Sequence, residues 1–259
     1  MTKQIETYHC HLVSQVLLKQ FTDKSGKVVV VEKNNGSEQY TETDETGFII
    51  VPTDPFKKFE SVWKKPERHM DGVIEKIKDG SIFHSLPHLK TLKRFIAMHY
   101  VRSYGFIFLL SELEEQAAQE IIEEINNSNL DFEKALGWFR TSSRPETPQM
   151  MKEYYEKVYA EIEKYNVEII KTSEDYPFSL SDIPVLNYLI PENRLGLREG
   201  VGIQADAVML PVSPHYVVSL TSRNQDSHVL ETNQSGVRII NDLTKRNSLR
   251  QYYIQSENV

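Results

Sequence analysis

The chain has 259 residues, 39% hydrophobic and 26% charged, which is enough apolar content for a sizeable core and excludes a disordered or fibrous protein. Its formal net charge of −7 gives no overall basic surface for nucleic acid or an anionic membrane, although a local basic patch stays open. One cysteine, Cys10, excludes an internal disulfide and a multi-cysteine zinc site. With no signal-peptide core and no apolar run of about 20 residues, we expect a cytoplasmic protein without a membrane segment.

The N-terminal part is predicted to combine one short helix with strands. Apolar residues favour a helix over 12–21, and the valine run at 27–32 favours a strand. Asn34-Asn35-Gly36 is a strong turn signal, so 39–43 and 48–51 are expected to be pairing strands.

From about residue 56 to residue 165 the hydrophobic pattern has the period of helices. One helix is predicted by apolar residues at positions i, i+3, i+4 and i+7: Met70, Val73, Ile74 and Ile77. Pro66 suits the first turn of that helix. Further helices are predicted over 87–110, 112–127, 132–139 and 148–165.

Strand character returns after the helical block. Strands are predicted over 167–172, 178–180, 205–210, 216–220 and 251–254, with a helix over 237–248. Pro211-Val212-Ser213-Pro214 is predicted to connect two of the strands. Strands flanking a block of helices indicate an α+β fold, with an antiparallel sheet built from the N- and C-terminal segments around the helical block 56–165. No composition break resembles a linker, so we expect a single domain, 1–259, with 56–165 as a helical insertion.

Common nucleotide, zinc-peptidase and α/β-hydrolase motifs do not occur in the sequence. There is no G-x-x-x-x-G-K-[ST], no G-x-G-x-x-G after a strand, no H-E-x-x-H and no G-x-S-x-G. Hydrolysis on a less common scaffold stays open.

Two polar residues lie on the apolar face of the long predicted helix. His99 and Arg102 share that face with Leu92, Ile96 and Phe106. A buried arginine stays charged, so Arg102 needs either a protein carboxylate, as a structural ion pair, or a bound anion. His99 by itself is typical of a hydrogen-bonded core histidine.

Glu67 is a candidate partner for Arg102. It lies on the apolar face of its predicted helix, three residues before Met70. It also lies in the predicted first turn, where the helix dipole favours a carboxylate, so a structural role competes with a catalytic one.

His9-Cys10-His11 allows two metal ligands on one side of a strand, but a site needs a third ligand and usually a fourth. A divalent metal is the cofactor that this pattern leaves open. Cys10 as a nucleophile competes with an ordinary buried cysteine.

Asp182 follows a predicted strand in Ser181-Asp182-Ile183-Pro184. An aspartate shortly before a proline is common in turns, where it can bond its own backbone. However, the ends of strands also carry catalytic carboxylates. The basic clusters around Lys64-Lys65 and Lys245-Arg246 are interpreted as solvated faces, with nucleic-acid contact as the alternative.

The segment 11–21, His-Leu-Val-Ser-Gln-Val-Leu-Leu-Lys-Gln-Phe, resembles the opening motif of the mainly bacterial family called domain of unknown function 4238. That motif typically reads His-Tyr-[Val/Ile]-[Pro/Ser]-[Gln/Arg]-x-[Tyr/Leu]-Leu-x-x-Phe, so Leu12 departs from its tyrosine. Later blocks follow in the family's order: 92–102 with Phe95, Ile96 and Arg102, Phe-Ser-Leu-Ser-Asp-Ile-Pro-Val at 178–185, Leu-Pro-Val-Ser-Pro at 210–214, and Asn241.

The resemblance implies positions rather than a reaction, because no established activity accompanies the family. Four residues singled out on physical grounds fall in its blocks: His11, Glu67, Arg102 and Asp182. Three more matched positions join the candidate substrate-binding set with Arg102: Gln15, Ser181 and Asn241.

The first functional hypothesis is an enzyme. His11 would be the general acid/base, Glu67 and Asp182 would be bases or metal ligands, and Arg102 would hold an anionic substrate. Convergence in one pocket would suit hydrolysis or transfer at the phosphate of a nucleotide or nucleic acid. By association with families of this kind, we expect a role in bacterial defence.

The second hypothesis is a non-catalytic interaction or regulatory module. Arg102 and Glu67 would then form a buried structural pair, and acidic helices at 112–124 and 153–163 would bind a protein partner. A third hypothesis, a nucleic-acid binder, needs the scattered lysines and arginines to gather on one face.

Overall fold

The computed structural model describes residues 7–52, 63–111, 147–188, 206–221 and 227–255. Its strands are β1 (Thr7–His11), β2 (Lys27–Glu32), β3 (Glu38–Glu42), β4 (Phe48–Pro52), β5 (Asn166–Lys171), β6 (Leu180–Ser181), β7 (Leu186–Tyr188), β8 (Ala207–Ser213), β9 (Tyr216–Thr221), β10 (His228–Glu231) and β11 (Gln251–Ile254). Its α-helices are α1 (Gln15–Leu18), α2 (Met70–Lys78), α3 (Leu86–Ser111), α4 (Thr147–Ile162) and α5 (Gln234–Asn247), and residues 63–67 are also helical. The chain is therefore an α+β protein, as predicted.

A four-stranded antiparallel sheet joins the two ends of the chain. Its order is β3-β2-β11-β6, so the C-terminal strand β11 lies between β2 and β6. The valines of β2 are buried, and Val30 lies opposite the fully buried Tyr253 of β11. Gly36, with a φ of 68°, permits the turn between β2 and β3. The predicted sheet built from N- and C-terminal segments is confirmed.

The described residues form two further sheets, whereas only one sheet was predicted. A five-stranded sheet has the order β10-β5-β9-β8-β7 and is antiparallel except where β10 pairs with β5 in parallel. β1 and β4 form a separate antiparallel pair, with His11 opposite Phe48. β7 and β10 have 3 and 4 residues, too few for a periodic pattern to reveal them in the sequence.

The predicted connection at 211–214 is wrong. β8 continues through Pro211 to Ser213, and the turn to β9 uses Pro214 and His215 instead. The β8–β9 register shifts between Pro211 and Ser213. A proline has no N–H to give to the ladder, and an irregularity of this kind is where a strand tolerates it.

The described helices of the central block follow the predicted periodicity. α2 buries the residues that predicted it: Met70, Val73, Ile74 and Ile77. α2 begins at Met70 rather than near Pro66, because a turn at residues 68–69 separates it from the helical segment 63–67. The predicted helices over 112–127 and 132–139 lie outside the described residues. In the part of the chain that the structure describes, no helix is long and apolar enough to cross a membrane.

The main core contains side chains from α1 to α4 and from both larger sheets, such as Leu17, Phe95 and Val218. Fully burying one such side chain contributes about 1.5–3 kcal/mol. Polar side chains buried in this setting need partners. His99 and Arg102, which are among them, lie on α3 and lead to the candidate site.

Candidate functional site

The N-terminal motif is held against the backbone of Gly47. The N–H groups of Leu12 and Val13 donate to the Gly47 carbonyl at 2.8 and 3.1 Å. Gly47 has a φ of 72°, and a Cβ there would lie 2.9 Å from Cδ1 of Leu18. Both the backbone conformation and the close approach favour glycine. This contact fixes where β1 ends and α1 begins.

Ser14 is the N-cap residue of α1, but its hydroxyl is used elsewhere. An N-cap serine normally accepts a hydrogen bond from the first turn of its own helix, and Ser14 makes no such bond. Its Oγ instead donates a short hydrogen bond to Oε1 of Glu67 and lies 2.9 Å from Nε2 of His99. The Ser14 side chain therefore makes a tertiary contact with the helical block instead of capping α1.

Arg102 forms an ion pair with a carboxylate of the protein. Its Nη2 donates to Oε1 of Glu67 at 3.0 Å, and its Nη1 donates to the carbonyl of His11 at 3.0 Å. Its guanidinium carbon lies 5.8 Å from the ring centroid of Trp63, a cation–π contact. The Arg102 side chain is 5% exposed and that of Glu67 is 26% exposed. The ion pair therefore runs from the core towards solvent, with Glu67 as its outer member.

Glu67 does not lie in the first turn of a helix, so the helix-dipole explanation for it is wrong. It is the last residue of the helical segment 63–67, three positions before α2 begins. A helix C-terminus repels a carboxylate rather than stabilising it. The hydrogen bonds from Ser14 and Arg102 stabilise the carboxylate instead.

The hydrogen atoms of the cluster can be assigned from its contacts. Ser14 has one hydroxyl hydrogen and donates it to Glu67, so Nε2 of His99 donates to Ser14. Nδ1 of His99 makes no regular hydrogen bond with any described atom. Burial and, after it, the charge of Arg102 hold the pKa of His99 well below its ordinary value, against a smaller opposing effect of the Leu12 backbone. His99 is a neutral donor to Ser14, not a base that would activate it as a nucleophile.

His11 and Gln15 lie at the edge of this cluster. The His11 ring is half-buried and packs edge-on against Phe48, with centroids 5.7 Å apart. Nε2 of Gln15 lies 3.5 Å from Nδ1 of His11 and also donates to the carbonyl of Thr43. Gln15 is half-buried and contacts both the His11 ring and the backbone of Thr43.

Asp182 belongs to a second cluster, at the start of β11. Its carboxylate accepts the backbone N–H groups of Leu249, Arg250 and Gln251 at 2.9, 2.8 and 3.1 Å. Burial raises the pKa of Asp182, and these three hydrogen bonds oppose the rise. All three hydrogen bonds come from the backbone of the segment that leads into β11.

Ser181 and Asn241 have similar contacts in the C-terminal half. Ser181 Oγ accepts the N–H of Ile183 at 2.9 Å and the hydroxyl of Ser248 at 3.2 Å. Asn241 accepts the N–H of Ser179 at 2.9 Å and donates to a backbone carbonyl at 3.0 Å. These side chains hold irregular backbone next to β6 and α5.

The two clusters are joined through Thr46 and Gly47. Nε2 of Gln251 donates to Oγ1 of Thr46 at 3.0 Å and to the hydroxyl of Tyr253 at 2.8 Å. Thr46 precedes Gly47, whose carbonyl holds the N-terminal motif. The seven predicted site residues therefore fall into two groups: His11, Gln15, Glu67 and Arg102 in the first, and Ser181, Asp182 and Asn241 in the second.

Within the described residues, no three histidine, cysteine, aspartate or glutamate side chains are grouped so as to hold a metal ion. β1 does place His9 and His11 in a strand, as the metal hypothesis requires. The side chains of His9 and Cys10 lie outside the described residues.

Sequence reasoning did not single out Ser14 and Trp63, both of which touch the first group. Ser14 appeared only as a matched position of the opening motif, and an N-cap serine looks ordinary in a sequence. Trp63 has a large apolar ring that explains its burial without any polar contact.

The fold and the site define an α+β protein with a buried Arg–Glu cluster held by its N-terminal motif. A family model described as "Protein of unknown function (DUF4238)" matches residues 8–258, and the chain belongs to that family. No curated protein and no solved structure matches the chain.

Proposed function

We propose that this protein is a hydrolase or transferase that acts on a phosphate-containing substrate, a nucleotide or a nucleic acid. One observation carries the proposal: Arg102 binds both the His11 carbonyl and the Glu67 carboxylate, each at 3.0 Å. The guanidinium thereby brings two residues with acid/base side chains to the same edge of the core. A positioned acid/base pair contributes roughly 10²–10⁴-fold to a reaction.

In this proposal the partly exposed groups touch the substrate and the buried groups position them. Glu67 is the general base or a metal ligand, and His11 is the general acid/base. Arg102 is a positioning residue, because Glu67 and His11 already use its terminal nitrogens. Ser14 and His99 support Glu67 from within the core. Asp182 is not needed, since its carboxylate binds backbone N–H groups.

A cytoplasmic, bacterial setting and a role in defence belong to the same proposal. The single cysteine gives no internal disulfide and so suits a reducing compartment. The defence role rests on association with families of this kind.

A second candidate is a non-catalytic interaction or regulatory module. The burial of Ser14, His99 and Arg102 favours it, because substrate reaches such groups only if the cluster opens. A buried charge pair needs no function beyond holding its surroundings in place. The surface at 153–163, on α4 and the turn after it, would then meet a protein partner.

The test is a hydrolysis screen of the full chain, with and without Mg²⁺ and Mn²⁺. The substrates are p-nitrophenyl phosphate, bis-p-nitrophenyl phosphate, nucleoside triphosphates, single-stranded DNA and RNA. We expect His11→Gln and Glu67→Gln each to lower turnover about 100-fold. Exposed residues of the same helical block provide matched controls, His84→Asn and Glu75→Gln, and these should keep wild-type turnover. Absence of turnover on every substrate, with both site variants only melting earlier, would favour the interaction module.

A further inference from the structure

A cleft of about 280 Å³ lies between the 63–69 segment, α3 and α4. Its walls carry six ionisable side chains: Lys65, His69, Arg94, Tyr155, Glu156 and Tyr159. This volume lies just below the usual range for ligand sites, roughly 300–1,000 Å³. It suits one small molecule rather than a polymer.

The charge of the cleft is opposite to that of the whole protein. Lys65 and Arg94 outnumber Glu156 on its walls, in a chain with a net charge of −7. Among the described residues, no ion pair involves Lys65 or Arg94. Local positive charge in a concave site attracts anions, and a guanidinium binds phosphate oxygens especially well.

Aromatic rings form the other wall. Tyr155 and Tyr159 have nearly parallel rings, with an interplanar angle of 17° and centroids 6.5 Å apart. The guanidinium carbon of Arg94 lies 5.2 Å from the ring centroid of Tyr159. Tyrosine rings and guanidinium planes are the surfaces on which nucleobases stack. Phosphate-binding and base-binding groups thus share one small cleft.

The cleft adjoins the candidate site. Lys65 and His69 lie on either side of Glu67 in the same segment. Trp63 contacts both regions: its ring packs edge-on against Tyr155 at 5.7 Å and lies under Arg102.

We propose that this cleft binds a single nucleoside phosphate, with the base against the ring of Tyr159 and the phosphate against Lys65 and Arg94. The inference rests on the proposed function in one respect, since the nucleotide would be the substrate of the reaction at Glu67. Binding itself does not depend on that reaction.

Isothermal titration calorimetry of the full chain tests the proposal, with AMP, GMP, CMP and UMP as ligands. Adenosine and inorganic phosphate are separate arms. We expect at least one nucleotide to bind more tightly than both. Losing one charge-assisted hydrogen bond or one stacked base weakens binding about tenfold, so Arg94→Gln and Tyr159→Leu should each do so. Exposed residues provide the controls, Lys157→Gln on α4 and Tyr176→Leu, and both should bind as the wild type does.

Thermal melts show whether Arg94→Gln and Tyr159→Leu are folded. Lys65→Gln, at an exposed position, repeats the phosphate test without touching the core. The proposal is overturned if no nucleotide binds, if phosphate alone binds as tightly as the nucleotides, or if all three cleft variants keep wild-type affinity.

The same titration separates this inference from the proposed function. His11→Gln should bind the nucleotide normally while losing turnover. Nucleotide binding that depends on Arg94, without turnover of any phosphate substrate, would uphold the cleft and refute the enzyme. Turnover of a phosphate substrate with the same KM in the wild type and the cleft variants would uphold the enzyme and refute the cleft.

Discussion

The Oγ of Ser14 lies 2.9 Å from Nε2 of His99, and both side chains are closed off from solvent. The same Oγ donates to Glu67, so one serine of the N-terminal motif joins a neutral histidine to a carboxylate. The contact spans 85 positions of the chain. The contact joins the N-terminal motif directly to α3.

Protonation of His99 should oppose folding. Burial first, and the charge of Arg102 second, lower its pKa well below 6.5, so below pH 6.5 the unfolded chain binds a proton that the folded chain does not. The free energy of unfolding should therefore be unaffected above that pH and fall below it, by up to about 1.4 kcal/mol per pH unit. Urea unfolding near pH 7 and near pH 5 measures this.

His99→Gln is the matched variant for that experiment, because glutamine can still donate to Ser14 but does not titrate. The variant differs from the wild type only at this position. Acid should therefore cost the wild type about 1–2 kcal/mol more than the variant. Equal losses would mean that His99 is not the responsible group.

The Arg102–Glu67 pair should behave asymmetrically when broken. Glu67→Leu leaves a charge buried at Arg102, which should lower the free energy of unfolding by about 3 kcal/mol. Arg102→Met leaves a carboxylate that can turn to water, and should cost about 1–2 kcal/mol.

The double variant Glu67→Leu/Arg102→Met completes a double-mutant cycle by chemical denaturation. It should be less destabilised than the sum of the single variants, because neither charge is left alone. Strict additivity would show that the pair contributes no coupling.

Asp182 should be a stability residue. Asp182→Ala removes the acceptor of three backbone N–H groups and should cost about 3 kcal/mol or more. Asp182→Asn keeps one carbonyl oxygen and should cost less. Asp175→Ala, at an exposed turn position, should lie within about 0.5 kcal/mol of wild type. An Asp182→Asn protein that melts normally but loses turnover would return this residue to the catalytic set.

Gly47 and Gly36 provide a matched pair of substitutions. Both have a positive φ, 72° and 68°, so alanine at either should cost about 1–2 kcal/mol from backbone strain. A Cβ at Gly36 meets nothing within 4 Å, whereas one at Gly47 lies 2.9 Å from Leu18 and 3.3 Å from Val13. Gly47→Ala should therefore lower the melting temperature clearly more than Gly36→Ala. Equal shifts would show that the motif accommodates the methyl group.

Elements with a strong local signal are predictable from this sequence. The apolar spacing of α2 and the valines of β2 each identify one element without knowledge of its neighbours. β7 and β10 are too short to give such a signal. The turn that separates the helical segment 63–67 from α2 has no recognisable sequence pattern.

The candidate site is likewise predictable from the sequence only in part. A charge on an apolar helix face needs a partner wherever it folds, so Arg102 and Glu67 can be singled out from the sequence alone. The sequence leaves open whether Arg102 meets a carboxylate or a bound anion, and packing of the 63–67 segment beside α3 supplies the carboxylate.

The sequence by itself determined the α+β class, the antiparallel sheet that joins both ends of the chain, and which polar residues are out of place. Only the tertiary structure decided their partners. Asp182 meets N–H groups 67 to 69 positions along the chain, and Ser14 meets Glu67 across 53 positions. Contacts of that span are set by how whole elements pack, and no local pattern encodes them.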